Sequence, residues 1–422
     1  MRIEIEIIDI INNGHGVGKY DGMTVFVSGG KERPVVGDVV IAETVENKKS
    51  FLTAELKEVT RPSALRGVPF CRHAGECGGC ALQNMTYEAQ LALKEKQVRD
   101  KYTRIAGLEN PAIKTIVGMD NPFRYRNKAR IAVSEGGAGF FSAKSHTVVD
   151  CDTCLINSKP VDAVAGVLRE SGRGLIHGAL VRTAFATGEV MVVLDSESEK
   201  LPGRRKITRM IERAIDEIGD GGFLLKSTGG STILDGLGSL KFEVSPLSFY
   251  QVNPSQAELL YNEVQKYAGL TGGETVLDVY CGAGALGLWC ASKAGKVIGI
   301  EVSGDAVADA NRNAVINGVV NAEFIRGKAE TELPGLVSDG LSADVVILDP
   351  PRAGCKREVL EAAAATGAGR IIYVSCDAAT QARDIKIFQG LGYRFIEAAP
   401  FDMFPWSLHT ESCCLLMNQE LQ

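Results

Sequence analysis

The chain has 422 residues, of which 45% are hydrophobic and 23% are charged, with a formal net charge of −6 at pH 7. This length predicts two or three domains, and the overall negative charge argues against indiscriminate binding to nucleic acid. The first residues show no secretory signal pattern, and no apolar stretch reaches the roughly 18 residues of a membrane span. We therefore expect a cytoplasmic protein without a membrane partner, in which eleven cysteines serve metal binding or catalysis rather than disulfides.

Residues 1–59 predict a small β-barrel. Several short segments alternate between apolar and polar residues, and turn signals such as NNGHG and SGGKERP separate them. The predicted strands are RIEIEIID, MTVFVSG, DVVIAETVE and FLTAELKEV. A series of short strands without a helix is typical of a small barrel.

Residues 60–245 predict a mixed central domain. It combines a basic helix at 87–106, which we expect to pack on the third domain, with strands such as KARIAVS and GEVMVVLD and a helix from Lys206 to Ile218. Residues 61–130 contain 13 Lys and Arg against 6 Asp and Glu. Such a segment can bind phosphate groups or form the solvated face of a helix. The charge alone favours neither interpretation.

A cysteine motif opens the central block. Cys71, Cys77 and Cys80 have the spacing C-x5-C-x2-C in the Gly-rich stretch CRHAGECGGC, and VVDCDTCLI offers Cys151 and Cys154 as a fourth ligand. Four thiolates can close a tetrahedral zinc site or hold an iron-sulfur cluster. Spacing alone does not decide between zinc and iron.

Residues 246–422 alternate strands with helices, which predicts a doubly wound parallel sheet. The strand in ETVLDVYCGAGALGL runs into a tight turn at Gly282–Gly284, where a ligand can approach the backbone closely. Glu301 ends the next strand, where a carboxylate can bind both ribose hydroxyls of an adenosine. These features fit NAD or S-adenosylmethionine (SAM), and the pair GYRFIEAAPFDMFP and TESCCLLMN resembles the closing hairpin of SAM-dependent methyltransferases.

The strands ADVVILD and RIIYVSC leave Asp349 and Cys376 at their carboxyl ends, which form the ligand crevice of an open parallel sheet. The helix predicted directly after Cys376 would lower its thiol pKa through the helix dipole. Methyltransferases that act on amines commonly carry Asn-Pro-Pro and an aromatic residue where ILDPPRAG has Asp349 and Arg352, so an amine substrate is not indicated. The remaining cysteines are expected to be buried apolar groups, namely Cys281, Cys290, Cys355, Cys413 and Cys414.

Six motifs in this order resemble those of the RNA uracil-C5 methyltransferases that form 5-methyluridine: SFYQVN, LDVYCGAGALGL, IGIEVS, ILDPPRAG, YVSCDAATQARD and FPWSLHTE. The resemblance spans nearly the whole chain, and its N-terminal block resembles the TRAM domain of that family. It implies a class I SAM methyltransferase domain with a Rossmann-like fold at 246–422, an OB-like TRAM barrel at 1–59 and a central α+β iron-sulfur domain at 60–245.

The resemblance also implies roles for single residues. Cys376 would add to uracil C6, and Glu411 would remove the C5 proton. The positions that bind SAM in this family correspond to Gln251, Tyr280, Glu301 and Asp349. The family's [4Fe-4S] cluster would be held by Cys71, Cys77, Cys80 and Cys154, since relatives place the fourth ligand directly before an aliphatic pair.

Two details of these assignments stay open. Cys151 is left as a free thiol, and His409 either orients the substrate or is an ordinary structural residue. This sequence has Ser-Leu-His-Thr-Glu before the last strand, whereas the family commonly shows Thr-x-His-Val-Glu. The surroundings of Glu411 therefore depart slightly from the family pattern.

The expected substrate is a uridine flipped out of RNA, most readily in 23S rRNA because the barrel and cluster resemble rRNA-acting members. The same chemistry on tRNA, or a noncatalytic RNA-binding or ribosome assembly role, is the alternative. The run NPFRYRNKARIAV offers aromatic and basic side chains for contacts with RNA. We expect a monomer, although nothing in the sequence determines the oligomeric state.

Overall fold

The structure is a computed structural model that describes residues 1–421 apart from 144, 172, 173, 175, 197–202, 219–221, 228–231 and 247. Its described residues form four β-sheets, covered and connected by helices. The α-helices are α1 (Tyr87–Arg104), α2 (Lys159–Ser171), α3 (Arg204–Asp216), α4 (Pro254–Ala268), α5 (Ala285–Ala291), α6 (Gly304–Ile316), α7 (Ala329–Ser338), α8 (Arg357–Ala365) and α9 (Ala378–Gly390). None of the described helices is both long and apolar enough to cross a membrane.

The first sheet has six strands in the order β1-β5-β6-β4-β3-β2. They are β1 (Arg2–Glu6), β2 (Asp9–Ile10), β3 (Gly16–Tyr20), β4 (Met23–Ser28), β5 (Val39–Asn47) and β6 (Phe51–Arg61). The sequence did not predict β3, because its glycines interrupt the apolar alternation. The structure explains them, since a Cβ on Gly18 would lie 2.7 Å from the carbonyl oxygen of Glu6.

The second sheet has six strands in the order β12-β11-β10-β7-β8-β9. They are β7 (Lys128–Ser134), β8 (Gly137–Phe141), β9 (Val148–Asp150), β10 (Gly178–Thr183), β11 (Glu189–Asp195) and β12 (Leu224–Ser227). Helices α2 and α3 bury their apolar faces against this sheet in one core. Helix α3 begins at Arg204, two residues before the position predicted from the sequence.

The third block is a seven-stranded sheet in the order β17-β16-β15-β18-β19-β21-β20. Its strands are β15 (Thr275–Val279), β16 (Lys296–Glu301), β17 (Ala322–Arg326), β18 (Val345–Leu348), β19 (Arg370–Ser375), β20 (Tyr393–Phe401) and β21 (Glu411–Asn418). All neighbours are parallel except β21, which is antiparallel to both β19 and β20. A separate apolar core covers each face of the sheet, as expected for a doubly wound fold.

A two-stranded hairpin precedes this sheet and shares its core. It consists of β13 (Ile233–Leu237) and β14 (Leu240–Val244). Phe242 and Val244 are fully buried in the same cluster as Tyr250. The core of the third block therefore includes residues that precede the boundary predicted at 246.

Helix α1 contacts both the first and the third block. Leu93 is buried in the core of the first sheet. Tyr102 is buried against the seven-stranded sheet, and its hydroxyl donates to Gln381 Oε1 at 2.7 Å. The basic segment predicted from charge is therefore also a packing element that joins two parts of the chain.

Candidate active site

The strand register brings Cys376 and Glu411 opposite each other. The antiparallel pairing of β19 with β21 ends with Ser375 facing Ser412. Continuing that register by one residue sets Cys376 across from Glu411. Residues directly opposite in neighbouring strands have Cβ atoms about 4.5–5.5 Å apart, so the thiol and the carboxyl group share one small site.

Three side chains of the site lie on the same face of the sheet. Side chains alternate between the two faces along a strand, so residues two apart point to the same side. Each of the three side chains, those of Cys376, Asp349 and Glu411, is two residues along the sequence from a member of one apolar core. Those core residues are Val374, Ile347 and Cys413. The ends of β18 and β19 and the start of β21 thus gather a thiol and two carboxyl groups.

The surroundings of Cys376 raise its thiol pKa to about 11. Burial contributes most, the negative charges of Glu411 and Asp349 add to it, and the positive charge of Arg352 opposes them. The expectation of a thiol pKa lowered by the dipole of α9 is therefore wrong for the free protein. Desolvation and two nearby carboxylates outweigh a helix that is capped by the side chain of Asp377.

Glu411 and Asp349 interact as a pair of acids. Burial raises the pKa of Glu411 well above its usual range, the charge of Asp349 raises it further, and Arg352 opposes both effects. Burial, followed by the charge of Asp278, raises the pKa of Asp349 to about 7. Near neutral pH the pair therefore retains a proton beside the thiol.

A narrow cavity opens next to this pair, with an enclosed volume of about 30 Å³. Tyr280 and Asp349, two of the four residues predicted to bind the cofactor, line it. The other lining residues are Phe249, Tyr250, Tyr261, Asp278, Cys281, Gly282, Ala283, Ala285 and Leu286. Phe249 is 63% exposed at this position, and apart from its place in SFYQVN no sequence pattern indicates a role for it in the cavity.

Glu301 and Gln251 lie next to the lining residues. The Glu301 carboxylate accepts hydrogen bonds from the backbone N–H groups of Gly282 at 3.1 Å and Ser303 at 2.8 Å. Gln251 is buried, and its carbonyl oxygen accepts a hydrogen bond from Asn127 Nδ2 at 3.1 Å. Glu301 therefore orders the glycine turn, whereas Gln251 joins this site to the central block.

The acids of the cavity fit a cationic ligand. Oδ2 of Asp278 accepts a hydrogen bond from the backbone N–H of Gly287, but its buried Oδ1 has no hydrogen-bond partner within the described residues. Burial raises the pKa of Asp278 to about 7. SAM carries both an ammonium and a sulfonium group, so its charge suits Asp278 and Asp349. The volume of about 30 Å³ accommodates only part of a nucleoside.

A second, larger cavity of about 320 Å³ lies in the central block. Its lining contains five free cysteines, which are Cys71, Cys77, Cys80, Cys151 and Cys154. The structure thus brings the four predicted metal ligands to one cavity, and Cys151, predicted to be a free thiol, lines the same cavity. In the part of the chain that the structure describes, no group of three or more His, Cys, Asp or Glu is arranged to hold a single metal ion.

These thiols interact electrostatically. Burial raises the pKa of Cys80 to about 12, the hydrogen bond from Gln83 opposes it, and repulsion from Cys154, Cys77 and Cys71 adds to the rise. The Cys80 thiol is therefore protonated at neutral pH, and a nearby cation would favour its thiolate.

The aromatic and basic run before β7 is largely used for internal contacts. Tyr125 is buried, and its hydroxyl donates to the carbonyl oxygen of Pro405 at 3.0 Å. Arg124 pairs with Asp162 and donates to the carbonyl oxygen of Cys154 at 3.0 Å. These two side chains of the run therefore serve internal contacts. Of its basic residues, Arg126 and Arg130 line the cysteine cavity.

Comparison with family models matches residues 239–419 to the tRNA (uracil-5-)-methyltransferase model. The chain is 39% identical to an uncharacterized RNA methyltransferase of Caldanaerobacter subterraneus, over 98% of each chain. It is 37% identical to an uncharacterized RNA methyltransferase of Halalkalibacterium halodurans, over 98% of this chain and 96% of the relative.

Among solved structures, the chain resembles the tRNA (uracil-54, C5)-methyltransferase of Pyrococcus abyssi in complex with S-adenosyl-L-homocysteine. The TM-score is 0.75 at 28% sequence identity, and the match covers 98% of this chain and all of that one. The likeness therefore extends beyond the seven-stranded sheet to the first and central blocks.

Proposed function

Because the chain belongs to the tRNA (uracil-5-)-methyltransferase family and is an RNA methyltransferase, we propose that it transfers a methyl group from SAM to C5 of a uridine in 23S rRNA by way of a covalent Cys376 adduct. The observation that carries this proposal is the register of β19 and β21, whose last pair, Ser375 and Ser412, directly adjoins Cys376 on one strand and Glu411 on the other. Both groups lie on the face of the sheet where Asp349 meets the cofactor cavity.

In this mechanism Cys376 makes a weakly reactive carbon nucleophilic. Its thiolate forms a bond to C6 of the uracil ring and moves electron density onto C5. The raised thiol pKa means that the free enzyme holds the group in its protonated, unreactive form at neutral pH, so the thiol must release its proton to solvent before the bond to C6 forms. Arg352 favours the thiolate, since its positive charge lowers the thiol pKa.

Glu411 acts after the methyl group has been accepted. Its carboxylate removes the proton from C5, and the S–C6 bond breaks with its electron pair returning to the Cys376 sulfur. Burial and Asp349 raise the pKa of Glu411, so this group must first release its own proton to solvent, and the resulting carboxylate is then a strong base. The products are 5-methyluridine and a Cys376 thiolate, while Glu411 carries the proton from C5; the thiolate takes up a proton from solvent to restore the resting thiol.

SAM, when bound, supplies the electrophilic methyl group. Asp349 and Tyr280 would contact it from the cavity, and Glu301, at the carboxyl end of β16, would bind its ribose. Gln251, in the segment that joins the sheet to the central block, would be the fourth residue to bind SAM. The unpartnered oxygen of Asp278 supports this assignment, because it offers an acceptor to a cationic ligand.

The central cavity would hold a [4Fe-4S] cluster through Cys71, Cys77, Cys80 and Cys154. Support comes from the convergence of these free thiols on one cavity. A structural role fits four protein ligands, which leave no open position on iron.

The remaining domains would bind RNA around the target base. The first sheet is assigned as the TRAM domain on the basis of its many short strands and its position before the cysteine motif. Arg126 and Arg130 line the cysteine cavity, and their guanidinium groups are suited to contact phosphate groups. The target uridine is flipped out of its stack, since the thiol and the cofactor approach the ring from within a crevice.

Methylation of tRNA is the second candidate, because the Pyrococcus abyssi relative acts on uracil-54 of tRNA. The test is to map 5-methyluridine in 23S rRNA and tRNA from cells with and without the gene. Loss of a 23S rRNA site supports the first candidate, and loss restricted to tRNA supports the second. If neither RNA loses a 5-methyluridine, and the purified protein with SAM modifies neither, the proposal is wrong.

A further inference from the structure

The segment 402–410, which connects β20 to β21 and leads into Glu411, is held by several parts of the chain. The buried Asp402 accepts hydrogen bonds from Lys94 and, at 2.8 Å, from the hydroxyl of Tyr87, both on α1. Leu408 packs against the core of the first sheet. The position of the proposed base thus depends on contacts outside its own sheet.

Trp406 makes the contact between this segment and the cysteine motif. Its carbonyl oxygen accepts two backbone hydrogen bonds, from Ala81 at 2.9 Å and Leu82 at 3.0 Å. These are the two residues that follow Cys80. Trp406 also has a φ of +69°, a conformation that a bulky residue adopts only when its surroundings impose it.

The indole ring is enclosed by residues of the central block. It stacks on Phe123 with 5.5 Å between ring centroids and meets the edge of Phe70 at 4.9 Å. Its Nε1 donates to the carbonyl oxygen of Pro122 at 2.8 Å, and only 7% of the residue is exposed. The cysteines that pack against the same aromatic cluster are Cys80 and Cys154.

We propose that Trp406 is a positioning residue that makes the placement of Glu411 depend on the order of the cysteine motif. This inference rests on the proposed function of Glu411 as base. When the motif is ordered, the two N–H donors hold Trp406 in its left-handed conformation and fix the direction in which the chain enters β21. When the motif loses its order, segment 402–410 relaxes and Glu411 moves away from Cys376.

Tryptophan fluorescence tests this coupling without methyl transfer. The chain has two tryptophans, so Trp289→Phe leaves Trp406 as the only one. In that background we expect Cys80→Ser to shift the emission to longer wavelength and to raise quenching by acrylamide, because the indole becomes exposed. The matched control is the Trp406→Phe variant, in which Trp289 is the source of the emission. Adding Cys80→Ser to this control is expected to leave the emission unchanged.

Hydrogen exchange provides a second measurement that does not depend on a cysteine variant. In Trp406→Ala we expect faster backbone exchange in two segments, 79–82 and 402–411, and unchanged exchange in β10 and β11. Circular dichroism on each variant ensures that folded protein is compared. Unchanged emission in Cys80→Ser together with unchanged exchange in Trp406→Ala would overturn the coupling.

Kinetics distinguish positioning from RNA binding. Trp406→Ala is expected to lower kcat about 10- to 100-fold, the size of loss that a misplaced catalytic group causes, with the KM for RNA within about twofold. Trp406→Phe is expected to restore most of kcat, since it retains the ring and the backbone contacts. A rise in KM at unchanged kcat would contradict the inference. If the wild-type protein methylates no uridine, the proposed function fails, whereas fluorescence and exchange still decide the coupling.

Discussion

Nη2 of Arg352 lies 3.2 Å from Nε2 of His409. This contact joins the turn after β18 to the segment that leads into β21, on either side of the proposed nucleophile. The positive charge of Arg352 lowers the pKa of both Cys376 and Glu411, against the effect of burial. Arg352 is therefore placed to favour the charged forms of the nucleophile and the base. Substitutions that remove or retain its charge test this role.

Replacing Arg352 by Met should slow the formation of the covalent adduct. A thiol with a pKa of about 11 is mostly protonated at pH 8, so the thiolate fraction and the adduct rate rise about tenfold per pH unit below the pKa. Loss of the nearby positive charge raises the thiol pKa further, so the variant needs a higher pH to reach the same rate of adduct formation. The measurement is the rate at which RNA containing 5-fluorouridine is trapped, between pH 7 and 10. Arg352→Lys, which retains the charge, is the control, and equal profiles for both variants would contradict the role of the charge.

Removing the thiol at 376 should abolish turnover. We expect Cys376→Ala to lower kcat on the order of 10⁴-fold or more, the scale seen when a covalent nucleophile is removed, and to form no adduct with 5-fluorouridine RNA. The adduct is measured as RNA that migrates with denatured protein. The matched control is Cys290→Ala, which removes a fully buried thiol on α5 and should leave trapping intact. Trapping by Cys376→Ala would assign the nucleophile to another residue.

Glu411→Gln should separate adduct formation from its release. The amide does not accept a proton from C5, so the methylated intermediate stays bound to Cys376. We expect ordinary, unfluorinated RNA to accumulate as a covalent complex after addition of SAM, with product release reduced on the order of 10²-fold or more. The double variant Cys376→Ala/Glu411→Gln should show no complex. Normal turnover by Glu411→Gln would mean that another group removes the proton.

The buried ion pair between Lys94 and Asp402 should matter to stability mainly when one partner is removed. Both side chains are almost fully inaccessible to solvent. Lys94→Met leaves the Asp402 carboxyl group without its cation, and breaking a buried pair in this way costs about 3–5 kcal/mol of unfolding free energy. The measurement is urea unfolding. The double variant Lys94→Met/Asp402→Leu should recover much of the loss, and equal losses for both proteins would contradict this account.

Single Cys→Ser variants should show which thiols of the cysteine cavity bind the cluster. Protein purified without air is expected to be brown, with broad visible absorption and bound iron and sulfide. Cys80→Ser should lose the colour and the iron. Cys151→Ser should retain both, although Cys151 lines the same cavity, because four cysteines complete the site. Zinc in colourless wild-type protein would contradict the cluster, and loss of iron in Cys151→Ser would add Cys151 to its ligands.

Much of the third block could be predicted from the sequence, because its pattern is local. Buried strands, the glycine turn and the two strands around residues 393–418 follow from apolar runs and turn residues. The order of the motifs also allowed Asp349, Cys376 and Glu411 to be assigned to one site. The segment around β3 escaped prediction because its glycines are explained only by close contacts with neighbouring strands.

Electrostatics and long-range contacts could not be predicted in the same way. The dipole of α9 is evident from the sequence, but the desolvation of Cys376 depends on how β18, β19 and β21 assemble. Arg124 and Tyr125 have the composition of a surface that binds RNA, yet their partners lie far along the chain at Asp162 and Pro405. Which basic residues are internal and which are accessible is therefore decided by tertiary structure.

The position of β21 between β19 and β20 has a consequence for biosynthesis. Within its sheet β20 pairs with β21 alone, although β20 leaves the ribosome first. It therefore stays outside the sheet until β21 has been synthesised and inserted beside β19, and only that late step completes the pair of Cys376 and Glu411. Any activity that needs both side chains therefore begins only after β21 has folded into place.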